Sequence, residues 1–136
     1  MNRSALVAYQ LLIGLSDTMT GALLVFAPAF TLRLMFLEAP DDSLIYISFI
    51  GAFVFSVGLA CLYGAYLIFV QHFGRRVETV WLLTAFTRGS VALFVIVQVT
   101  MHFLPAGWLT VAAMDGGCVL IQAIGLSRGW LSSEPL

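Results

Sequence analysis

The amino-acid sequence predicts an all-α membrane protein, a four-transmembrane-helix bundle with both termini on the cytoplasmic side. Three observations carry that expectation: an apolar excess, four stretches of membrane-spanning length, and arginines gathered on one side of them. Hydrophobic residues make up 61% of the 136 residues and charged residues 10%, whereas a soluble domain is about a quarter charged. A chain this short buries only part of its surface on folding, so its apolar excess calls for a bilayer as solvent. By length it forms one domain, residues 1–136. The net charge is −1 and every basic residue is arginine. Such a balance argues against nucleic acid, which demands a basic face. Lipid is the expected partner.

A transmembrane helix needs about 20 mostly apolar residues, and four stretches qualify. The first is 5–27, from Ala5 to Ala27, stopped by Pro28. The second, 44–70, runs from Leu44 to Val70 without a charge. The third, 80–104, is interrupted by Arg88, and the fourth, 106–126, by Asp115. Pro40, Gly74 with Arg75 and Arg76, and Pro105 with Gly107 punctuate the turns. Between the first two spans, Ala29 to Leu37 is expected as a short interfacial helix or a kinked continuation. Glu38, Asp41 and Asp42 follow and belong in water. Ala27-Pro28-Ala29 resembles a signal-peptide cleavage site, but Asp17 interrupts the apolar region, which is also too long. Cleavage is not expected.

Orientation follows from the arginines. Arg3, Arg75, Arg76 and Arg128 fall on one side of the spans and Arg33 alone on the other. The arginine-rich side is therefore expected in the cytoplasm, and the membrane to be a bacterial inner membrane. Trp81, Trp130 and Tyr9 are expected at the inner interface, with Trp108 and Tyr46 at the outer one.

Three ionisable residues fall in mid-span: Asp17, Arg88 and Asp115. At about 1.5 Å per residue their depths agree to within about one helical turn. Helical spacing supports a meeting. On the third span one stripe carries Trp81, Thr84, Arg88, Val91, Val95, Gln98 and His102. Gln10, Gly14, Asp17 and Gly21 share a stripe on the first span, as do Ser48, Gly51, Phe55 and Gly58 on the second. Ala112, Asp115, Val119 and Gln122 do so on the fourth. A central charge costs about 2.5–3.5 kcal/mol on insertion scales, and Arg88 held between both aspartates is the least costly arrangement. This cluster is read as structural or as a ligand, proton or ion site, with Thr84, Gln98 and Gln122 supporting it. The protonation state of Asp17 and Asp115 stays open.

Other chemistry finds less support. His72 and His102 stand about a membrane thickness apart, so one haem cannot take both. No residues show metal-ligand spacing. Ser16, Ser56 and Ser90 have no histidine at matching depth, so no nucleophile is assigned. Cys61 and Cys118 are read as packing residues at different depths. Gly116-Gly117 reads as a close-packing point, and Gly51, Gly58 and Ala65 as a contact between protomers of a homo-oligomer.

Asp17-x-x-x-Gly21, the step Thr87-Arg88-Gly89, and Gly107-Trp108-Leu109-Thr110 leading to Asp115-Gly116 carry a resemblance. In these, and in length and span number, the chain resembles the DoxX-like group and neighbouring families of small bacterial four-helix membrane proteins. The resemblance implies quinone-related or respiratory accessory roles, a larger membrane complex, and a quinone as occupant. The residues themselves predict no cofactor. The expectation is a non-enzymatic accessory or assembly protein. Its alternatives are a binder of a lipophilic molecule such as a quinone or lipid, and a proton- or ion-coupled transporter using Asp17 or Asp115. Four short spans leave little room for alternating access.

Overall fold

A computed structural model describes residues 2–70 and 74–131, and these are all-helical, with no strand among them. Helix α1, Arg3–Phe26, starts where the Asn2 side chain accepts a hydrogen bond from the Ala5 amide at 2.9 Å. It stops at Ala27 because Pro28 offers no amide to continue it. Pro28 instead opens α2, Pro28–Leu34, as the first helical residue. The stretch between the first two spans is thus a separate short helix. It ends with Phe36 in the left-handed region and the Leu37 amide bonded back to the Leu32 carbonyl at 2.8 Å.

A 3-10 turn over Asp41–Ser43 leads into α3, Leu44–Phe69. Gly74, with φ of 101°, precedes α4, Arg75–Thr100. This helix begins five residues before the expected start at Val80, because Arg75, Arg76 and Glu78 continue the helix beyond the apolar run. Its end is another left-handed cap: His102 has φ of 61°, and the Phe103 amide returns to the Gln98 carbonyl at 2.9 Å. Pro105 and a 3-10 turn over Ala106–Trp108 then introduce α5, Leu109–Ser127.

Four helical stretches, Arg3–Phe26, Asp41–Phe69, Arg75–Thr100 and Ala106–Ser127, are long and apolar enough to cross a membrane. Only 22–28% of each apolar window is buried inside the protein, so most of that surface faces outward. Leu12, Phe53, Phe86, Phe94 and Leu120 are among the exposed large side chains. An apolar surface this extensive needs an apolar surrounding.

The helices pack as two antiparallel hairpins, α1 with α3 and α4 with α5, joined mainly by α3 against α4. Glycine sets the first hairpin. A Cβ on Gly58 would press into the Thr18 backbone, and one on Gly21 into the Phe55 backbone. A Cβ on Gly51 would lie 2.7 Å from that of Leu24. Gly51 and Gly58 therefore face α1 of the same chain, and the expected use of Gly51, Gly58 and Ala65 as a contact between protomers is corrected: that face is already covered. Close backbone approach of this kind is how apolar helices gain contact without a hydrophobic drive between them.

At the end where α1 and α4 begin and α3 and α5 finish, Leu6, Leu67, Ile68, Val77, Trp81 and Leu131 form a core cluster. Arg3 ties this end by donating from Nε to the Ile68 carbonyl at 3.2 Å, with its terminal nitrogen on the Phe69 carbonyl. Trp81 is fully buried, and Tyr9 and Trp130 pack against the same cluster. Of the three rings expected at this interface, Trp81 is corrected: Gly125 has no side chain to fill the space beside it, and the ring turns inward, while Tyr9 and Trp130 keep part of their surface exposed. Tyr46 is exposed, while Trp108 packs against the apolar clusters of the opposite end.

Candidate functional site

The inward stripe of α1 carries Gln10, Gly14, Asp17 and Gly21, all buried, as the sequence spacing predicts. On α4 the buried face is Val77, Trp81, Thr84, Arg88, Ala92 and Val95. Val91, expected on that stripe, is 39% exposed, and Ala92 takes its place. A straight helix turns 3.6 residues at a time, so a stripe counted in sevens drifts around it. On α5, Ala112, Cys118, Gln122 and Gly125 are buried and Asp115 lies at the margin.

Arg88 joins the two hairpins. Its Nη2 donates to Oδ2 of Asp17 on α1, and its Nη1 donates to Oδ1 of Asp115 on α5 at 2.6 Å. The three side chains are 5%, 12% and 15% exposed for Arg88, Asp17 and Asp115. One planar guanidinium thus serves two carboxylates from two helices, a task for which arginine's fork is suited and lysine's single ammonium is not. With both aspartates ionised the group carries one net negative charge.

Around this cluster lie groups that sequence spacing did not assign to it. The Cys61 and Cys118 thiols and the Tyr9 hydroxyl lie near the guanidinium. Both thiols are free and buried, and each is within electrostatic reach of Arg88 and of the other. The expectation of two unrelated cysteines at different depths is corrected: both border the ion cluster. The signal was present, since Cys61 follows Gly58 by three residues and Cys118 follows Asp115 by three, each staying on its helix face.

Nearer the Arg3 end, Gln122 donates from Nε2 to the Thr84 hydroxyl at 2.8 Å, and that hydroxyl donates to the Val80 carbonyl at 2.8 Å. Thr84 and Gln122 are therefore joined to each other, one turn of α4 from Arg88. Gln98 is not part of this group. It stands ten residues beyond Arg88, about 15 Å along the helix, half-buried, with its backbone carbonyl capping the α4 terminus. Gly116 and Gly117 also depart from expectation, because a Cβ at either would meet nothing within 4 Å. They are not a close-packing point inside this chain.

His102 is exposed in its cap, and His72 lies outside the described residues. Among the described residues no three acidic, histidine or cysteine side chains gather in a way that would hold a metal ion. Ser56 and Ser90 face outward, with their hydroxyls donating to the Ala52 and Phe86 carbonyls at 2.9 Å each. Ser16 is half-buried on α1.

No protein family matches the chain, and no match is found among curated proteins or among solved structures.

Proposed function

We propose that the chain is a bacterial inner-membrane protein that acts as a non-enzymatic accessory or assembly subunit, with the Asp17–Arg88–Asp115 cluster locking its two helical hairpins in register. The observation that carries the reading is the double pairing of Arg88, which commits both terminal nitrogens to carboxylates on two other helices. A charge arranged this way is satisfied within the chain. An ion network that fixes helix register is a recognised use of such groups.

Both termini are assigned to the cytoplasm. Arg3, Arg75, Arg76 and Arg128 all sit at the helix ends on one side, whereas Arg33 on α2 is at the other. That asymmetry is what the positive-inside rule reads. The apolar outer faces supply the lipid contact.

A second reading is favoured by one feature. Asp115 keeps some exposure, and beside it Gly116 and Gly117 open onto unoccupied space. A lipophilic molecule, of which the quinone implied by the sequence resemblance is one class, would reach the cluster laterally there.

Native mass spectrometry of the gently solubilised protein, with small molecules identified, separates the two. The accessory reading expects protein partners or further copies of the chain and no stoichiometric small molecule. A stoichiometric lipid or quinone retained by the wild type and lost in a folded Arg88→Leu variant would overturn it.

A further inference from the structure

Below the ion cluster, toward the Arg3 end, lies a second polar layer whose chemistry is not accounted for by side-chain pairing. Gln10 is wholly buried, and neither its amide nitrogen nor its amide oxygen has a hydrogen-bond partner in the protein. The same holds for Oε1 of Gln122, Nε1 of Trp81 and the hydroxyl of Tyr9, and for Nε of Arg88, on the residue about 10 Å further along α4 than Trp81. Gln10 stands seven residues from the start of α1, Trp81 six from the start of α4, and Gln122 five from the end of α5. At 1.5 Å per residue, the three lie about 8–10 Å from the same end of the bundle. The layer is closed beneath by Leu6, Ile68, Val77 and Leu131, none more than 1% exposed.

The backbone is arranged to admit these groups. On α3, a Cβ at Gly64 would collide with Nε2 of Gln10, so glycine there gives the amide its place. On α5, the bond from Nε2 of Gln122 to Thr84 fixes that amide and leaves its oxygen directed elsewhere. An unmet buried polar group costs about 1–3 kcal/mol, and several in one layer would weigh heavily against the stability of a small bundle.

We propose that this layer, formed by Tyr9, Gln10, Trp81, Thr84 and Gln122, is a binding site for a small cluster of ordered water molecules enclosed within the bundle. The unpartnered atoms decide the class of occupant. Gln10 Nε2, Trp81 Nε1 and Arg88 Nε donate, Gln10 Oε1 and Gln122 Oε1 accept, and the Tyr9 hydroxyl does both. An anion would leave the acceptors unmet, and a metal ion would leave the donors unmet. Water answers both kinds, and buried waters characteristically make about three such bonds.

X-ray radiolytic footprinting of the full chain in lipid nanodiscs tests this, because hydroxyl radicals made from bound water oxidise only the side chains beside it. Corrected for intrinsic reactivity, the wholly buried Trp81 is expected to be oxidised about tenfold faster than the outward-facing Phe53, Phe86 and Phe94, which have lipid and no water beside them. Gln10→Leu and Gln122→Leu, made separately, are expected to lower the Trp81 rate about threefold by removing water partners. Trp81 oxidised no faster than Phe86 and Phe94 in the wild type would overturn the proposal, as would a Trp81 rate left unchanged in both folded leucine variants.

Discussion

Replacing Arg88 by leucine removes a group that holds three helices to a common point. The side chain is 5% exposed and its two terminal nitrogens are bonded to Asp17 and Asp115, so the change leaves two buried carboxylates facing each other across the seam. Removing one member of a buried ion pair costs about 3–5 kcal/mol. A domain's whole stability is about 5–15 kcal/mol, so the loss is a large fraction of it. Arg88→Lys keeps the charge but cannot present two prongs, and forfeits one charged hydrogen bond, about 1.5–3 kcal/mol. The triple variant Asp17→Leu/Arg88→Met/Asp115→Leu removes charge and partners together and is expected within about 2 kcal/mol of the wild type. Unfolding by SDS in mixed micelles, followed through tryptophan fluorescence, ranks the four proteins. The order expected is wild type and triple variant, then Arg88→Lys, then Arg88→Leu. An Arg88→Leu protein that unfolds at the wild-type SDS fraction would refute the reasoning.

Gly58→Ala forces a methyl group into the Thr18 backbone and is expected to destabilise by about 1–3 kcal/mol in the same titration. Gly116→Ala meets nothing within 4 Å and is expected to stabilise by about 0.5–1 kcal/mol through helix propensity; a loss there would mean that something outside the chain occupies the site. Arg3→Leu removes the bonds to the last carbonyls of α3 and is expected to cost about 1 kcal/mol, read as faster amide exchange in the final turn of α3. Orientation is checked with Asn2→Cys and Asp42→Cys, each placed in a Cys61→Ala/Cys118→Ala background. A membrane-impermeant maleimide added to intact cells is expected to label the cysteine at position 42 and to leave the one at position 2 unlabelled.

Helices and their inward faces were legible wherever a single physical rule governed them. The uncharged run from Leu44 to Val70 appears as α3, Leu44–Phe69, because apolar length alone decides it. The stripe of Gln10, Gly14, Asp17 and Gly21 is buried as spacing predicts, and the joint pairing of Asp17, Arg88 and Asp115 follows from their matching depths and the cost of a lone buried charge. What escaped depends on which helix meets which. Whether Gly51 and Gly58 face another protomer or α1 is undetermined by their spacing, and only the position of Thr18 and Leu24 opposite them settles it. Trp81 reads as an interfacial ring by position in the span, yet the missing side chain at Gly125 on α5 draws it inside. Cys61 and Cys118 read from the sequence as packing residues at different depths, although both are buried near the cluster.

The two hairpins are held by different physics, and this explains why the ions stand where they do. Between α1 and α3, glycines bring the backbones close along their length, so contact is gained by van der Waals packing over many atoms. Across the seam between hairpins the interface is sparser, and polar side chains supply what packing does not. In a lipid surrounding, sliding one apolar helix face along another costs little, because tails solvate both positions equally well. A single misplaced turn would move Asp17 or Asp115 about 5.4 Å from the guanidinium and leave a charge without a partner. The Arg88 pairing therefore acts mainly as a constraint on register: it adds little net stability over an apolar core of the same shape, and it penalises the alternatives severely. The triple variant carries this distinction to experiment, because it is expected to unfold near the wild-type SDS fraction while losing the single hairpin register that the charges impose. Disulfide trapping between cysteines placed on facing turns of α3 and α4, away from the three charged positions and in a Cys61→Ala/Cys118→Ala background, would reveal that loss as a spread of cross-linked pairs.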